Sequence, residues 1–359
     1  MKPLLRFAEF VRAHYQSIIL AAVAIGLGSG IWTTAPGRVL QGVTQPLTFL
    51  MILFISFTIT PHQFGLVMRQ PGGVLAGLVS NFVYMPLLCW LLARLLVADN
   101  QLATGIILVG VVPCAGMAAV WTALLKGDVP LGMAINALTM VLAPFLIPPL
   151  MWLLAGSSMT INMWSMFQQL AFILLIPLIL GIAARWWVER RWNVRPYLPL
   201  LPALSALAAV VLMFTTCNVN VPLIAARWSL VPSVLAAVVL IFPLGFLIPH
   251  GLGYYFFSWE QRIAVTYASG MKNLPIAVGL AFASFPPSTG LPVALSFIVQ
   301  MLVASLFIGT CVPRYPDGLA LSPLARQHSR YRYLFPTERD KPCGGIRALS
   351  YRKRGWILC

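Results

Sequence analysis

The sequence predicts an all-α polytopic membrane protein of about ten transmembrane helices, arranged as two inverted five-helix repeats with an interrupted fourth and ninth helix. Three observations predict it. The 359 residues are 60% hydrophobic and 9% charged, with mean hydropathy +0.87, more apolar surface than a water-soluble domain needs. Apolar segments long enough to cross a ~30 Å hydrocarbon core follow one another from residue 17 to residue 311. The basic residues collect in alternate connections between these segments.

In chain order the spans are 17–34, 43–60, 73–97, 102–124, 131–155, 166–185, 198–217, 230–253, 263–285 and 289–311. Residues 1–16 read as a cytoplasmic N-terminal segment. The apolar run after Met1-Lys2-Pro3-Leu4-Leu5-Arg6 is not followed by a small-residue cleavage site, so it reads as the first span and not as a signal peptide. With the N-terminus inside, the inner connections carry Lys2, Arg6, Arg12, Arg69, Lys126, Arg185, Arg190, Arg191, Arg195 and Arg262. The outer ones carry Arg38, Arg94 and Arg227. The bias places both termini in the cytoplasm and the chain in the cytoplasmic (inner) membrane. An odd number of spans per half makes the halves, about 17–155 and 166–311, antiparallel.

After Cys311 the composition changes. Residues 312–359 carry ten Lys and Arg with little apolar periodicity, the pattern of a disordered basic cytoplasmic tail that touches anionic lipid. The net charge of +16 is thus spread over loops and tail, and no nucleic-acid partner is expected. The six cysteines show no metal spacing and no C-x-x-C pair. No nucleophile–base pair or intramembrane carboxylate pair is present, and His14, His62, His250 and His328 are scattered. Neither an enzyme nor a cofactor is expected.

The interruptions fall at matching places in the two halves. One is Val112-Pro113-Cys114-Ala115-Gly116-Met117, the other Ala268-Ser269-Gly270-Met271-Lys272-Asn273-Leu274-Pro275. Pro113 and Pro275 remove backbone donors, and Gly116 and Gly270 tolerate unusual backbone angles. Lys272 lies near the middle of its span, where a charge costs at least ~2.5 kcal/mol. Short or Gly/Pro-interrupted segments in corresponding positions of two halves point to a solute or ion site. The alternatives are a kinked helix whose lysine pairs with a carbonyl, and chance placement of two Pro/Gly pairs. Asn81, Asn136, Thr139, Asn273 and Gln300 are polar candidates for the same region, each also a candidate for ordinary interhelical bonding. Asn136 and Asn273 are the preferred two, with Ser269 beside them. The ionisable group at midplane is positive, and the acidic residues lie in loops, span ends or the tail, which favours a small organic anion as substrate.

These motifs resemble the bile acid:sodium symporter family and its relatives, the arsenite-efflux permeases. PCAGMAAVWTALLKGD (Pro113–Asp128) followed by PFLIPP (Pro144–Pro149) resembles the symporters' fourth and fifth spans, and SGMKN (Ser269–Asn273) their ninth-span motif. The resemblance implies a panel and a core domain, with the broken helices crossing at midplane in the core and substrate bound beside the crossing. It also exposes departures. Where sodium-coupled members carry a glutamate and a glutamine, this chain has Ala268 and Lys272, and where they carry serine and asparagine it has Ala118 and Ala119. Alanines offer no side-chain oxygens, and an ammonium repels sodium, so coupling in the usual form is not expected. Lys272 stands in for the missing cation permanently, or it titrates and allows proton coupling. The cysteine of the arsenite branch is present as Cys114, which keeps open a metalloid efflux permease using its thiol. A non-transporting sensor or scaffold working through the basic tail is the third reading. The first, a secondary transporter for a small organic anion with Lys272, Asn273, Asn136, Ser269 and Cys114 at its site, is the one the residues favour.

Overall fold

The computed structural model describes residues 2–59, 70–156, 163–192, 197–198, 200–226 and 228–311. The basic tail at 312–359 and the charges Arg69, Arg195 and Arg227 lie outside the described residues.

The chain begins with an amphipathic helix, α1 (Lys2–Ala13), whose Ala8 and Val11 pack on Ala203. The predicted first span, 17–34, is one helix, and the connection after it holds a second, short one. α2 (Tyr15–Trp32) ends at Thr33, and α3 (Ala35–Gln41) leaves at 119°. Thr33 is extended and Pro36 lies in the first turn of α3, where its missing N–H leaves no bond unmade. α4 (Thr44–Ser56) follows, then α5 (Pro71–Leu96) and α6 (Asn100–Val111). Asp99 caps α6 by accepting from the backbone N–H groups of Gln101 and Leu102 at 2.9 and 3.0 Å. α7 (Met117–Leu124) and α8 (Val129–Ala155) come next, α8 being capped by Asp128, which accepts from the Leu131 N–H at 2.9 Å. α9 (Trp164–Glu189), α10 (Leu200–Ala226) and α11 (Val231–Phe256) complete the long helices before the second break. α12 (Trp259–Gly270), α13 (Leu274–Ser284) and α14 (Gly290–Cys311) end the described chain.

Six of these helices are long and apolar enough to cross a membrane, seven if the bent α2–α3 pair counts as one span; α4, α6 and α13 are apolar but shorter. The ten predicted segments therefore do not become ten long helices. The fourth is α6 plus α7 and the ninth is α12 plus α13. At 1.5 Å per residue a half such as α6 is about 18 Å long, roughly one leaflet.

The helices pack in two groups. α10 lies along α2 and α4, with α9 against α4; α5, α8, α11 and α14 surround the two broken helices. Two π turns, Ser80–Tyr84 in α5 and Ala171–Leu175 in α9, each sit just before a proline, Pro86 and Pro177. A proline inside a helix has no N–H to give and its ring crowds the carbonyl four residues back, so the preceding turn widens.

Candidate functional site

The two breaks meet. Val112 precedes a proline and is driven out of the helical region, to ψ 153°, which ends α6. Met271 is extended at ψ 96°, which ends α12, and Pro275 opens α13 without an N–H to leave unsatisfied. Across the meeting point Cys114 and Lys272 form an antiparallel bridge: the Ala115 N–H donates to the Met271 carbonyl at 2.8 Å, and the Asn273 N–H to the Pro113 carbonyl at 2.9 Å. Four helix ends thus converge in the buried interior, where every freed backbone group needs a partner.

Those partners come from the surrounding helices. Gln300 of α14 spans Lys272 with both halves of its amide: the Lys272 N–H donates to Oε1 at 2.8 Å, and Nε2 donates to the Lys272 carbonyl at 3.2 Å. The Ala268 carbonyl, in the last turn of α12, accepts from Asn81 Nδ2 at 3.0 Å, and the same nitrogen donates to the Gly77 carbonyl at 2.9 Å. The Cys114 N–H lies 3.3 Å from Thr139 Oγ1, which itself donates to the Asn136 carbonyl at 2.9 Å.

The Lys272 side chain completes the set. It is 1% exposed, and Nζ donates to the Val112 carbonyl, the Asn81 carbonyl and Asn81 Oδ1, each at 3.1 Å. The Asn81 carbonyl is free for a local reason. In the π turn the Met85 N–H bonds back to Ser80 and not to Asn81, and the next residue, Pro86, has no N–H. The lysine therefore fills two orphaned carbonyls and one amide oxygen with its three protons. Val112 caps the C-terminal end of α6 and Ala268 lies in the last turn of α12, so the ammonium sits at the negative ends of two half-helix dipoles.

The other predicted residues separate into those at the bridge and those beside it. Pro113, Cys114 and Asn273 take part in it through their backbones, and the Asn273 side chain does not cap α13. The Cys114 thiol is fully buried and donates to the Ala115 carbonyl at 3.4 Å. Among the described residues no group of three His, Cys, Asp or Glu is placed to hold a metal ion. Gly270, the last residue of α12, has no room for a side chain because Phe246 lies against it: a Cβ there would stand 2.4 Å from the ring. Ser269 Oγ and Asn136 Oδ1 are buried without a hydrogen-bond partner. Asn136 Nδ2 lies 3.9 Å from where a Cβ on Gly116 would stand, beside the N-terminus of α7. Asn218, outside the predicted set, is the most heavily bonded asparagine away from the crossing. It accepts from the Gly37 N–H at 3.0 Å and donates to Ser29 Oγ and the Thr33 carbonyl at 3.0 and 3.1 Å. It lies one residue beyond the predicted end of the seventh span, in the polar stretch Thr215–Asn220, so no sequence signal set it apart from a connection.

Residues 45–227 match the family described as the Sodium Bile acid symporter family, a match that runs from α4 to the end of α10. The chain belongs to this family. It is 26% identical over 266 residues to the uncharacterized sodium-dependent transporter YocS of Bacillus subtilis, covering 71% of this chain and 79% of that protein. It is 25% identical over 265 residues to the uncharacterized protein YbaS of the same organism, covering 73% and 84%. Similarity to the probable sodium/metabolite cotransporter BASS1, chloroplastic, of Oryza sativa subsp. japonica is 24% over 311 residues. That alignment takes in 85% of this chain and 74% of the relative, an extent that includes both breaks. Membership of a transporter family, with several membrane-length helices, makes the chain a membrane-embedded transporter of a small solute.

Proposed function

We propose that the chain is a secondary transporter of ten spans in two inverted halves, moving a small organic anion across the cytoplasmic membrane without sodium at the helix crossing. The observation that carries this reading is the seat of the Lys272 ammonium, three neutral oxygens with no carboxylate among them. Sodium requires several oxygen ligands, and the oxygens that converge between α5, α6 and α12 are taken by Nζ. Ala118 and Ala268, both fully buried, add no side-chain oxygen. The residues present therefore do not fit a sodium ion, and the chain supplies its own cation in its place. All three N–H donors of the ammonium are engaged, which supports a fixed charge over a titrating one.

The electrostatics favour an anion. Lys272 neutralises the negative ends of α6 and α12, while the N-terminal ends of α7 and α13 keep their positive partial charge at the crossing. Asn136 offers an amide beside the start of α7, so the substrate's anionic group is placed there, and alternating access carries it past the crossing. Both termini lie in the cytoplasm on this reading.

The test is uptake of a panel of labelled organic anions into proteoliposomes, with and without sodium and a pH gradient, for wild type, Lys272→Ala and Asn136→Ala. Expected is sodium-independent uptake that Lys272→Ala abolishes and that Asn136→Ala retains with a raised KM. Strict sodium dependence of the wild type would overturn the self-supplied cation, and uptake driven only by a pH gradient would overturn the fixed charge.

A further inference from the structure

The two ends of the helix bundle treat their tryptophans differently. Followed through the alternating helices, the C-terminal ends of α2 and α8 and the N-terminal end of α9 fall on one side. Trp32, Trp152 and Trp164 are exposed there (84, 52 and 66%), and no guanidinium lies over their rings among the described residues. The C-terminal ends of α9 and α11 and the N-terminal end of α12 fall on the other side, and there Trp186, Trp187, Trp259 and Tyr254 carry arginines, whereas the exposed Trp192 and Tyr255 carry none among the described residues. Arg190 lies 3.5 Å above the Trp186 ring and Arg191 4.6 Å from that of Trp187, while Arg262 stands 4.8 Å from Trp259 and 5.3 Å from Tyr254.

The α9 pair is the exposed one. Trp186 with Arg190, and Trp187 with Arg191, are i,i+4 neighbours on consecutive faces of the helix end. Both arginines are exposed, and neither has a carboxylate partner among the described residues. The adjacent Glu189 is engaged by Arg185 at 2.9 Å, and Arg185 is itself held inward, donating to the Phe57 and Thr58 carbonyls at the end of α4. A guanidinium laid over an indole keeps its N–H edge for a third group.

The surface leading to this end is lipid-like in its order. Along the same side of α9, Phe172, Ile176, Ile179 and Leu180 are exposed apolar side chains, followed by the two tryptophans and then the two arginines. Hydrocarbon, interfacial ring and cation follow one another as acyl chain, glycerol region and phosphate do in a phospholipid. We propose that this end of α9 is a binding site for an anionic phospholipid, its phosphate held between Arg190 and Arg191 and its acyl chain lying along Ile176 to Leu180.

The test is native mass spectrometry of the purified full chain titrated with phosphatidylglycerol or phosphatidylcholine. Wild type is expected to retain phosphatidylglycerol preferentially, and the preference to fall about fivefold for each arginine removed, about 25-fold in R190Q/R191Q. Arg38→Gln, at the other end of the bundle, should leave it unchanged. Millimolar inorganic phosphate should not compete, because it lacks the chain that α9 holds; competition would overturn a lipid site. Within wild type, raising the salt should weaken retention of phosphatidylglycerol but not of phosphatidylcholine. Equal retention of the two lipids, or an unchanged preference in R190Q/R191Q, would also overturn the proposal.

Discussion

Lys272 shows how one residue answers several backbone needs at once. Replacing it with methionine keeps the stem but strips three buried oxygens of their donor. Breaking a buried charged arrangement in this way costs about 3 kcal/mol or more. Lys272→Met is therefore expected to lower the melting temperature in detergent markedly, and Asn81→Ala to do so less. Because the two side chains share one network, the double variant should destabilise by less than the sum, with a coupling on the order of 1–3 kcal/mol. Additive losses would mean that the ammonium and Asn81 are energetically independent despite their contact. The lysine and both breaks were legible in the sequence, since a charge, a glycine and prolines in apolar runs are local signals. Its partners were not. The Asn81 carbonyl is freed by a π turn and a proline five residues on, and it meets Lys272 from 191 positions away. A similar limit applies to Lys126-Gly127. A glycine there suggests a left-handed turn, yet it is Lys126 that adopts φ 55°. Gly127 is small for a different reason: a Cβ on it would stand 2.8 Å from Ile263.

At the scale of elements, two contacts decide how helices meet. The 119° bend between α2 and α3 is held by Asn218 of α10, whose amide reaches both arms. The end of the first span at 34 was legible in the sequence, but the short helix that leaves there was not, because the asparagine that fixes the bend lies on another helix. Asn218→Val should cost about 2 kcal/mol through unpaired buried groups at Gly37 and Thr33, measurable as a lower midpoint of denaturant unfolding. An unchanged midpoint would show that the bend holds without it. The second contact joins the groups: α13 packs on α4 so closely that a Cβ on Gly279 would stand 2.5 Å from Thr48 Oγ1. Gly279→Ala is expected to push the helices apart and lower uptake, and Thr48→Ala, by removing that oxygen, to restore part of it. Failure of the second change to rescue the first would place the defect within α13 itself.

Across the whole molecule, contact between the two helix groups is lopsided. α13 rests on α4 and α10, and Ser284 Oγ near its end donates to Gln169 Oε1 of α9. α7 packs on α8 and α12, with no contact of similar extent to α2, α4, α9 or α10. Burial follows the same division. Leu274 to Ala281 of α13 are buried, whereas Gly116, Ala119, Val120 and Ala123 are partly exposed along one face of the α7 half. On the transport reading proposed above, the arrangement is closed on the side of α13 and open on the side of α7, one of the two states that alternating access requires. It makes a specific prediction for cysteine labelling in a background with Cys311, Cys343 and Cys359 replaced by serine, since the native thiols at positions 89, 114 and 217 are buried. Ala119→Cys and Ala123→Cys should react with a membrane-impermeant maleimide from the side that carries the end of α9. Ala277→Cys and Ala281→Cys, on α13, should resist it from either side. A substrate that shifts the protein to its opposite state should slow the first pair and expose the second. If both pairs labelled from both sides regardless of substrate, the helix groups would not be acting as alternating gates, and the crossing would have to be crossed by some route other than rocking.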